Sequence, residues 1–426
     1  MLKLRDEFIR HTALMFVGVG LFNLFNLLYH LFMVRFLSPD DYGQLNTLIA
    51  LFMVVSVPGS TVQTTVTKFV SSLQAQHRFS QIKKLLQTLL ILMSIVGLFF
   101  FLLVTLGSRF LSSFLQISSY ELIMLFGIGL FFAMVVPIPW GGLQGLQRFG
   151  AMALSLIING GLKFGLGILF VFLGLGAIGA MGAFAICYLG TVFLSLIILS
   201  LSLPKEKFET RCEQDIGKPN SSSIAGVYQY LLPVGITLLC FMLLTNIDLI
   251  LVKHFFTPIE AGHYNIAQVV GKIILFLPVP IVMVMFPKLS SLEGQEKGRI
   301  LILRKSLMVV LLLCGIVILL GFIFPSLIIQ ILSGRSYLAC IPLVRFFCIN
   351  MSLFSFVFVL LHYHLSTGKS TFLYPLCFLT LVQAGLIILF HNTLVQVLVV
   401  VGLVGLCLLG VNLYLVYHSH ERKVEG

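Results

Sequence analysis

The sequence predicts an all-α integral membrane protein of about twelve transmembrane helices, arranged as two parallel six-helix lobes. Three observations carry this prediction. Of the 426 residues, 59% are hydrophobic and only 10% are charged, with a mean hydropathy of +1.08, whereas an ordinary soluble domain is about a quarter charged. Apolar runs recur from end to end, each long enough to cross a ~30 Å hydrocarbon core at ~1.5 Å per residue. Finally, FLSPDDYGQLN at 36–46 is echoed by FFTPIEAGHYN at 255–265. A transmembrane β-barrel would need alternating segments of ~10 residues, and the sequence contains none.

The expected spans are 11–34, 43–67, 85–107, 120–140, 149–173, 176–201, 228–252, 262–287, 302–325, 341–363, 371–391 and 394–417. The repeat pairs the second span with the eighth, so six spans lie between equivalent points. An even number returns the chain to the same side, and the two lobes share one orientation. The N-terminal lobe is read as 1–203, a cytoplasmic linker as 204–224 and the C-terminal lobe as 225–426. The linker, which opens PKEKFETRCEQDIGKPNSSS, is the most polar stretch of the chain. No other loop is long enough to fold as a domain, which argues against an enzyme with an active site outside the bilayer. The first apolar run is too long, and lacks the small-residue cleavage site, to be a removable signal peptide.

The net charge of +12 would suit nucleic acid, but the placement of the charges points elsewhere. With the N-terminus inside, Arg35, Arg109, Lys253, Arg335 and Arg345 fall outside and Lys163 and Lys272 fall within spans, leaving the other 20 of the 27 Lys and Arg on the inner side. This is the positive-inside pattern. It predicts cytoplasmic termini in a multi-pass membrane protein and no nucleic-acid partner. The eight cysteines show no CxxC or paired spacing and read as small buried hydrophobes.

The repeated stretch explains its own acids. Ser38-Pro39-Asp40-Asp41 and Thr257-Pro258-Ile259-Glu260 both read as helix starts. Ser or Thr is the N-cap, and Pro occupies the first helical position, where its missing N–H costs nothing. An acid three residues on completes a capping box, with Glu260 the better fit. Neither Asp40 nor Asp41 is expected to bind a metal or to act as a catalyst, since no partner His or acid lies nearby in sequence. Pro58 in the second span and Pro278 and Pro280 in the eighth should kink their helices.

Polar groups inside the spans mark candidate functional sites, because ionisable groups at depth are costly. Lys163 and Lys272 lie near mid-span, one in each lobe. Ser155, Asn159 and Lys163 share a helix face, as do Asn265, Gln268 and Lys272, and Asn23, Asn26 and His30. Thr61, Gln63, Thr65, Thr67 and their neighbours add a polar stripe to the second span. These stripes predict a hydrophilic cleft lined by spans one, two, seven and eight, with interhelical glue as the alternative for any single residue. Asp248 is the acid well inside a span; it can pair with Lys272 through a tilt or water, or titrate during transport as the candidate for coupling to H+ or Na+, but it cannot neutralise both lysines. The excess of ammonium groups favours an anionic ligand. Arg35 and Lys253, at equivalent outer ends, are further candidates for ligand phosphate or for snorkelling to headgroups. His362 and His364, at i and i+2, face different ways and do not read as a shared metal site.

The opening VRFLSPDDYGQLNTL, the polar second span ending VTKFVSS and the segment LQGLQRFG at 143–150 resemble the oligosaccharide flippases. These are Wzx-like proteins of the polysaccharide transport family, within the multidrug/oligosaccharidyl-lipid/polysaccharide (MOP) exporter superfamily. The resemblance spans the chain in helix count and two-lobe layout, implying a MATE-like fold with no enzymatic activity and no cofactor beyond a coupling ion. It implies movement of an undecaprenyl-diphosphate-linked capsule, O-antigen or exopolysaccharide unit from the cytoplasmic to the outer leaflet by alternating access. The partners implied are the lipid-linked oligosaccharide, membrane lipid, and a polysaccharide polymerase and glycosyltransferases, and the location implied is the cell inner membrane. The first span lacks the mid-helix arginines of lipid II flippases, Arg35 lying near its outer end, which disfavours that substrate. The alternatives are a cation-coupled multidrug exporter of the same superfamily, which should carry acids rather than lysines in its cleft, and a membrane glycosyltransferase or polymerase, which should carry a long outer loop or a carboxylate cluster.

Overall fold

In a computed structural model the described residues are 2–115, 117, 119–203, 221–292, 295–333 and 340–424. The described residues are almost entirely helical, and no strand occurs among them. The expected linker up to residue 220 lies outside them. Two compact units are present, Met1–Leu231 and Leu232–Gly426.

The first unit holds α1 (Leu2–Phe36), α2 (Pro39–Val55), α3 (Val57–Ala75), α4 (Phe79–Leu106), α5 (Ser108–Leu115), α6 (Tyr120–Val135), α7 (Pro137–Gly145), α8 (Phe149–Phe172) and α9 (Gly176–Ser202). α10 (Ser221–Leu244) runs across the division. The second unit continues with α11 (Ile247–Phe255), α12 (Pro258–Phe276), α13 (Pro278–Ser291), α14 (Glu296–Ile323), α15 (Pro325–Ser333), α16 (Ile341–Thr367), α17 (Leu373–Leu389) and α18 (Leu394–Val424). Among the described residues nine helical stretches are long and apolar enough to cross a membrane, and Gln229–Leu244 and Leu373–Leu389 are shorter apolar helices. The chain is a multi-pass membrane protein.

Local chemistry sets the helix ends. Thr257 caps α12 with a complete capping box: its Oγ1 accepts from the Glu260 amide at 3.4 Å, and its own amide donates to Glu260 Oε2 at 3.1 Å. At α2, Ser38 Oγ accepts from the Asp41 amide at 3.1 Å and donates to Asp41 Oδ2 at 2.9 Å. The expected proline kinks fall at Ser56 between α2 and α3 and at Leu277 between α12 and α13. A third lies at Val136 before Pro137, between α6 and α7. The turns into α4 and α8 share one design, with His77 and Gln147 in the left-handed region at φ 56° and 55°, each followed by Arg and Phe.

In the first unit, α8 packs between α1 and α9, while α3 lies along α7 and α6 packs on α4 and α9. Close approach depends on glycine. A Cβ on Gly141 or Gly145 of α7 would fall 2.8 Å from the Val66 or 2.7 Å from the Val70 Cβ on α3, a small-xxx-small seam as found between membrane helices. In the second unit α16 is the hub, against α12, α13, α14 and α18.

Candidate functional site

Lys163 sits on α8 where α1 and α9 flank it. Its side chain is buried, with the residue only 5% exposed. Nζ donates to Asn26 Oδ1 at 2.9 Å. The other amide atom of Asn26, Nδ2, donates to Phe22 O at 2.9 Å, which turns the oxygen toward the lysine. Two π faces complete the cage, Tyr29 at 4.4 Å and Phe184 at 5.3 Å from Nζ to centroid. The Tyr29 hydroxyl donates to Ala180 O at 2.9 Å and so ties α1 to α9. Gly167, one turn beyond Lys163, makes this possible, since a Cβ there would sit 2.8 Å from the Tyr29 ring. His30 is half-buried, edge-on to Tyr29 and within electrostatic reach of Lys163.

No carboxylate among the described residues stands within ion-pairing distance of Lys163. An isolated ammonium is expensive to bury. Here it is held by one neutral oxygen and two aromatic faces, worth about 1.5–3 kcal/mol for the charged hydrogen bond and about 1–2 kcal/mol for the cation–π contacts. These are of the same order as the desolvation cost or below it.

The second unit carries a different arrangement. The expected seventh span is not one helix: it breaks at Thr245 and Asn246, between α10 and α11. Membrane backbone tolerates such a break where protein groups or water satisfy the freed backbone. Gln383 Nε2 of α17 donates to Leu244 O at 2.8 Å, and Asn246 Nδ2 donates to Met242 O at 2.8 Å. Asp248 falls in the first turn of α11, at the positive end of its dipole. Its carboxylate is fully buried and accepts from the Tyr264 hydroxyl at 2.7 Å and Gln268 Nε2 at 3.5 Å. Lys272 lies within electrostatic reach of it. The second-lobe ammonium therefore shares its field with a carboxylate, and the first-lobe ammonium does not.

The structure thus brings together Asn26 with Lys163, and Asp248 with Gln268 and Lys272. Asn159 instead turns into the α8–α9 seam, where Nδ2 donates to Thr191 Oγ1 at 2.8 Å. Ser155 likewise accepts from Trp140 Nε1 at 2.8 Å. Asn23 and Arg35 are exposed on α1. The side chains of Lys253, Asn265 and Asp40 lie outside the described residues. Much of the second-span stripe is glue: Thr61 and Thr65 bond back to their own helix, while Thr67 reaches Gly141 O at 3.3 Å and Gln63 reaches Gln144 Oε1 at 3.2 Å across the seam. Sequence reasoning missed Tyr29, Phe184 and Tyr264. The available signal was position: Tyr29 is one turn from Asn26, and Tyr264 one turn from Gln268. His362 and His364 are buried in α16, His362 with Nδ1 2.8 Å from Phe358 O and His364 stacked on Phe372. Among the described residues, no group of three or more His, Cys, Asp or Glu is disposed to hold a metal.

A sequence profile described as "Polysaccharide biosynthesis protein" matches residues 8–293. The chain belongs to this polysaccharide biosynthesis family. No curated protein matches it. Among solved structures, it is similar to a MATE crystallised in complex with MaD3S, at TM-score 0.84 and 15% identity over 98% of this chain and 96% of that one. It is similar to an outward-facing multidrug resistance MATE family transporter of the MOP superfamily, at TM-score 0.81 and 15% identity over 97% and 94%. It is also similar to a MOP superfamily transporter from Pyrococcus furiosus, at TM-score 0.79 and 14% identity over 96% and 95%, whose binding pocket is described as of reversed polarity, suggesting a different function. The fold is that of the MOP superfamily, as the resemblance in the sequence implied.

Proposed function

We propose that this protein is a transporter, not an enzyme, and that it flips an undecaprenyl-diphosphate-linked oligosaccharide from the cytoplasmic to the outer leaflet of the inner membrane by alternating access. Both termini are cytoplasmic in this reading, consistent with the charge bias. The family match and the MOP fold support the class. The observation that carries the substrate is Lys163, a buried ammonium with a neutral oxygen as partner and no carboxylate beside it.

A diphosphate and several hydroxyls cannot cross hydrocarbon unaided, since each unsatisfied polar group costs about 2–7 kcal/mol. Lys163 supplies one fixed countercharge. The Asn26 oxygen is a weak competitor, so a phosphate exposed to the ammonium displaces it and release restores it. Lys272 contributes less because Asp248 offsets its charge. Asp248, at the end of a broken helix, is the site where H+ or Na+ couples. Arg35 and Lys253 assist at the outer mouth. A polysaccharide polymerase would take the product and glycosyltransferases would supply the substrate.

The test is the lipid-linked sugar in cells lacking the gene, assayed by leaflet. The proposal predicts accumulation on the cytoplasmic face, reversed by the wild-type gene and not by Lys163→Ala expressed at equal level. Unchanged lipid-linked sugar together with normal surface polysaccharide, in a strain with no second flippase, would overturn it.

A further inference from the structure

Two thiols meet between α10 and α17. Cys240 Sγ and Cys377 Sγ lie 3.7 Å apart, and neither is in a disulfide. A disulfide bond is about 2.04 Å long, so the sulfurs must close by about 1.7 Å to bond. The two differ in access. Cys240 is 8% exposed. Cys377 is half-buried and lies on the face of α17 that carries Tyr374, Phe378 and Leu381, which are 81%, 65% and 73% exposed. Positions 374, 377, 378 and 381 form one stripe. In a membrane-spanning chain this open apolar face fronts lipid. A reactant reaching Cys377 therefore comes through the bilayer, and Cys240 is the less accessible of the two thiols.

We propose that Cys240 and Cys377 form an oxidisable dithiol which a lipid hydroperoxide converts to a cystine joining α10 to α17. The Cys377 sulfur attacks the terminal peroxide oxygen. The O–O bond breaks, the lipid alkoxide takes the thiol proton and leaves as an alcohol, and Cys377 becomes a sulfenic acid. The Cys240 sulfur then attacks the Cys377 sulfur. The S–O bond breaks and hydroxide leaves with the Cys240 proton as water. Two electrons pass from the sulfurs to the peroxide, and the sum is dithiol plus hydroperoxide to cystine, alcohol and water. Cys240 lies one turn before Leu244, whose carbonyl Gln383 of α17 already holds. The cystine adds a covalent tie beside that hydrogen bond and fastens the end of α10 at the break.

The test places the full-length protein in phosphatidylcholine vesicles with or without phospholipid hydroperoxide, followed by alkylation in denaturant, digestion and mass spectrometry. The expected result is a peptide joining Cys240 to Cys377, lighter by two hydrogens, formed only with hydroperoxide and lost on reduction. Cys377→Ser should leave Cys240 fully alkylated. Hydrogen exchange at 244–246 should slow on oxidation and recover on reduction. The proposal fails if Cys240 and Cys377 stay alkylated while exposed Cys407 oxidises, which shows the peroxide was active. It also fails if Cys240 oxidises in Cys377→Ser, and the fastening fails if exchange at 244–246 does not change.

Discussion

Replacing Lys163 and Asn26 separately should split stability from transport. Asn26→Leu removes the oxygen that accepts from Lys163 Nζ at 2.9 Å and leaves the ammonium buried among Tyr29 and Phe184. The loss of a hydrogen bond to a charged group, with the charge left behind, costs about 1.5–3 kcal/mol. Lys163→Met keeps the aliphatic stem and removes the charge. It forfeits the same hydrogen bond and about 1–2 kcal/mol of cation–π attraction, but it also relieves a desolvation penalty of several kcal/mol. The net change should be within about 1 kcal/mol of zero, or stabilising, because buried charge replaced by apolar bulk is commonly neutral or better. In the double variant the Asn26 oxygen loses its partner together with the charge, so the two effects should couple rather than add. Denaturant unfolding of purified protein in detergent measures all three. Lys163→Met should unfold like wild type and fail in transport. Destabilisation by Lys163→Met as large as by Asn26→Leu, with transport retained, would refute the reasoning and make Lys163 a packing residue.

Three further outcomes follow from the geometry. Gly145→Leu should separate α3 from α7, because even a Cβ there meets Val70 at 2.7 Å; overpacking of this kind costs about 1–3 kcal/mol, measurable as a lowered unfolding midpoint. Gln383→Leu should free the Leu244 carbonyl at the broken seventh span at a cost of about 1–3 kcal/mol, read as faster hydrogen exchange at 244–248. Thr257's hydroxyl and amide hold the Glu260 carboxyl below its ordinary value. A depressed folded value means the capping box contributes above the unfolded pKa and is lost as pH falls through the folded one. The stability difference between wild type and Glu260→Gln should therefore be present at pH 7 and vanish in acid below the usual carboxylate range of about 4.

Features governed by neighbours in sequence were legible. Ser38-Pro39 and Thr257-Pro258 announced helix starts, and Pro58 and Pro278 announced kinks, because capping and proline geometry act within one turn. The apolar runs announced the membrane. The break at Thr245–Asn246 was not legible from hydropathy, since a window over 228–252 averages across it and no Pro or Gly marks it. Asp248 two residues after Asn246 is a helix-start pattern, and it was the available clue. The pairing of Asn26 with Lys163 joins α1 to α8 and rests on tertiary packing, so their shared polarity was visible and their contact was not. Asn159 and the threonines of α3 show the converse: helical spacing places residues on a face, but only packing decides whether that face meets a seam or a ligand.

The most direct measurement of the central claim is flipping of a fluorescent undecaprenyl-diphosphate oligosaccharide by the purified protein in sealed vesicles, with Lys163→Met beside wild type. The account predicts transfer between leaflets by wild type, competition by a lipid diphosphate, and loss of transfer in Lys163→Met at equal reconstitution. Wild-type and Lys163→Met proteins that flip the lipid at the same rate would contradict it.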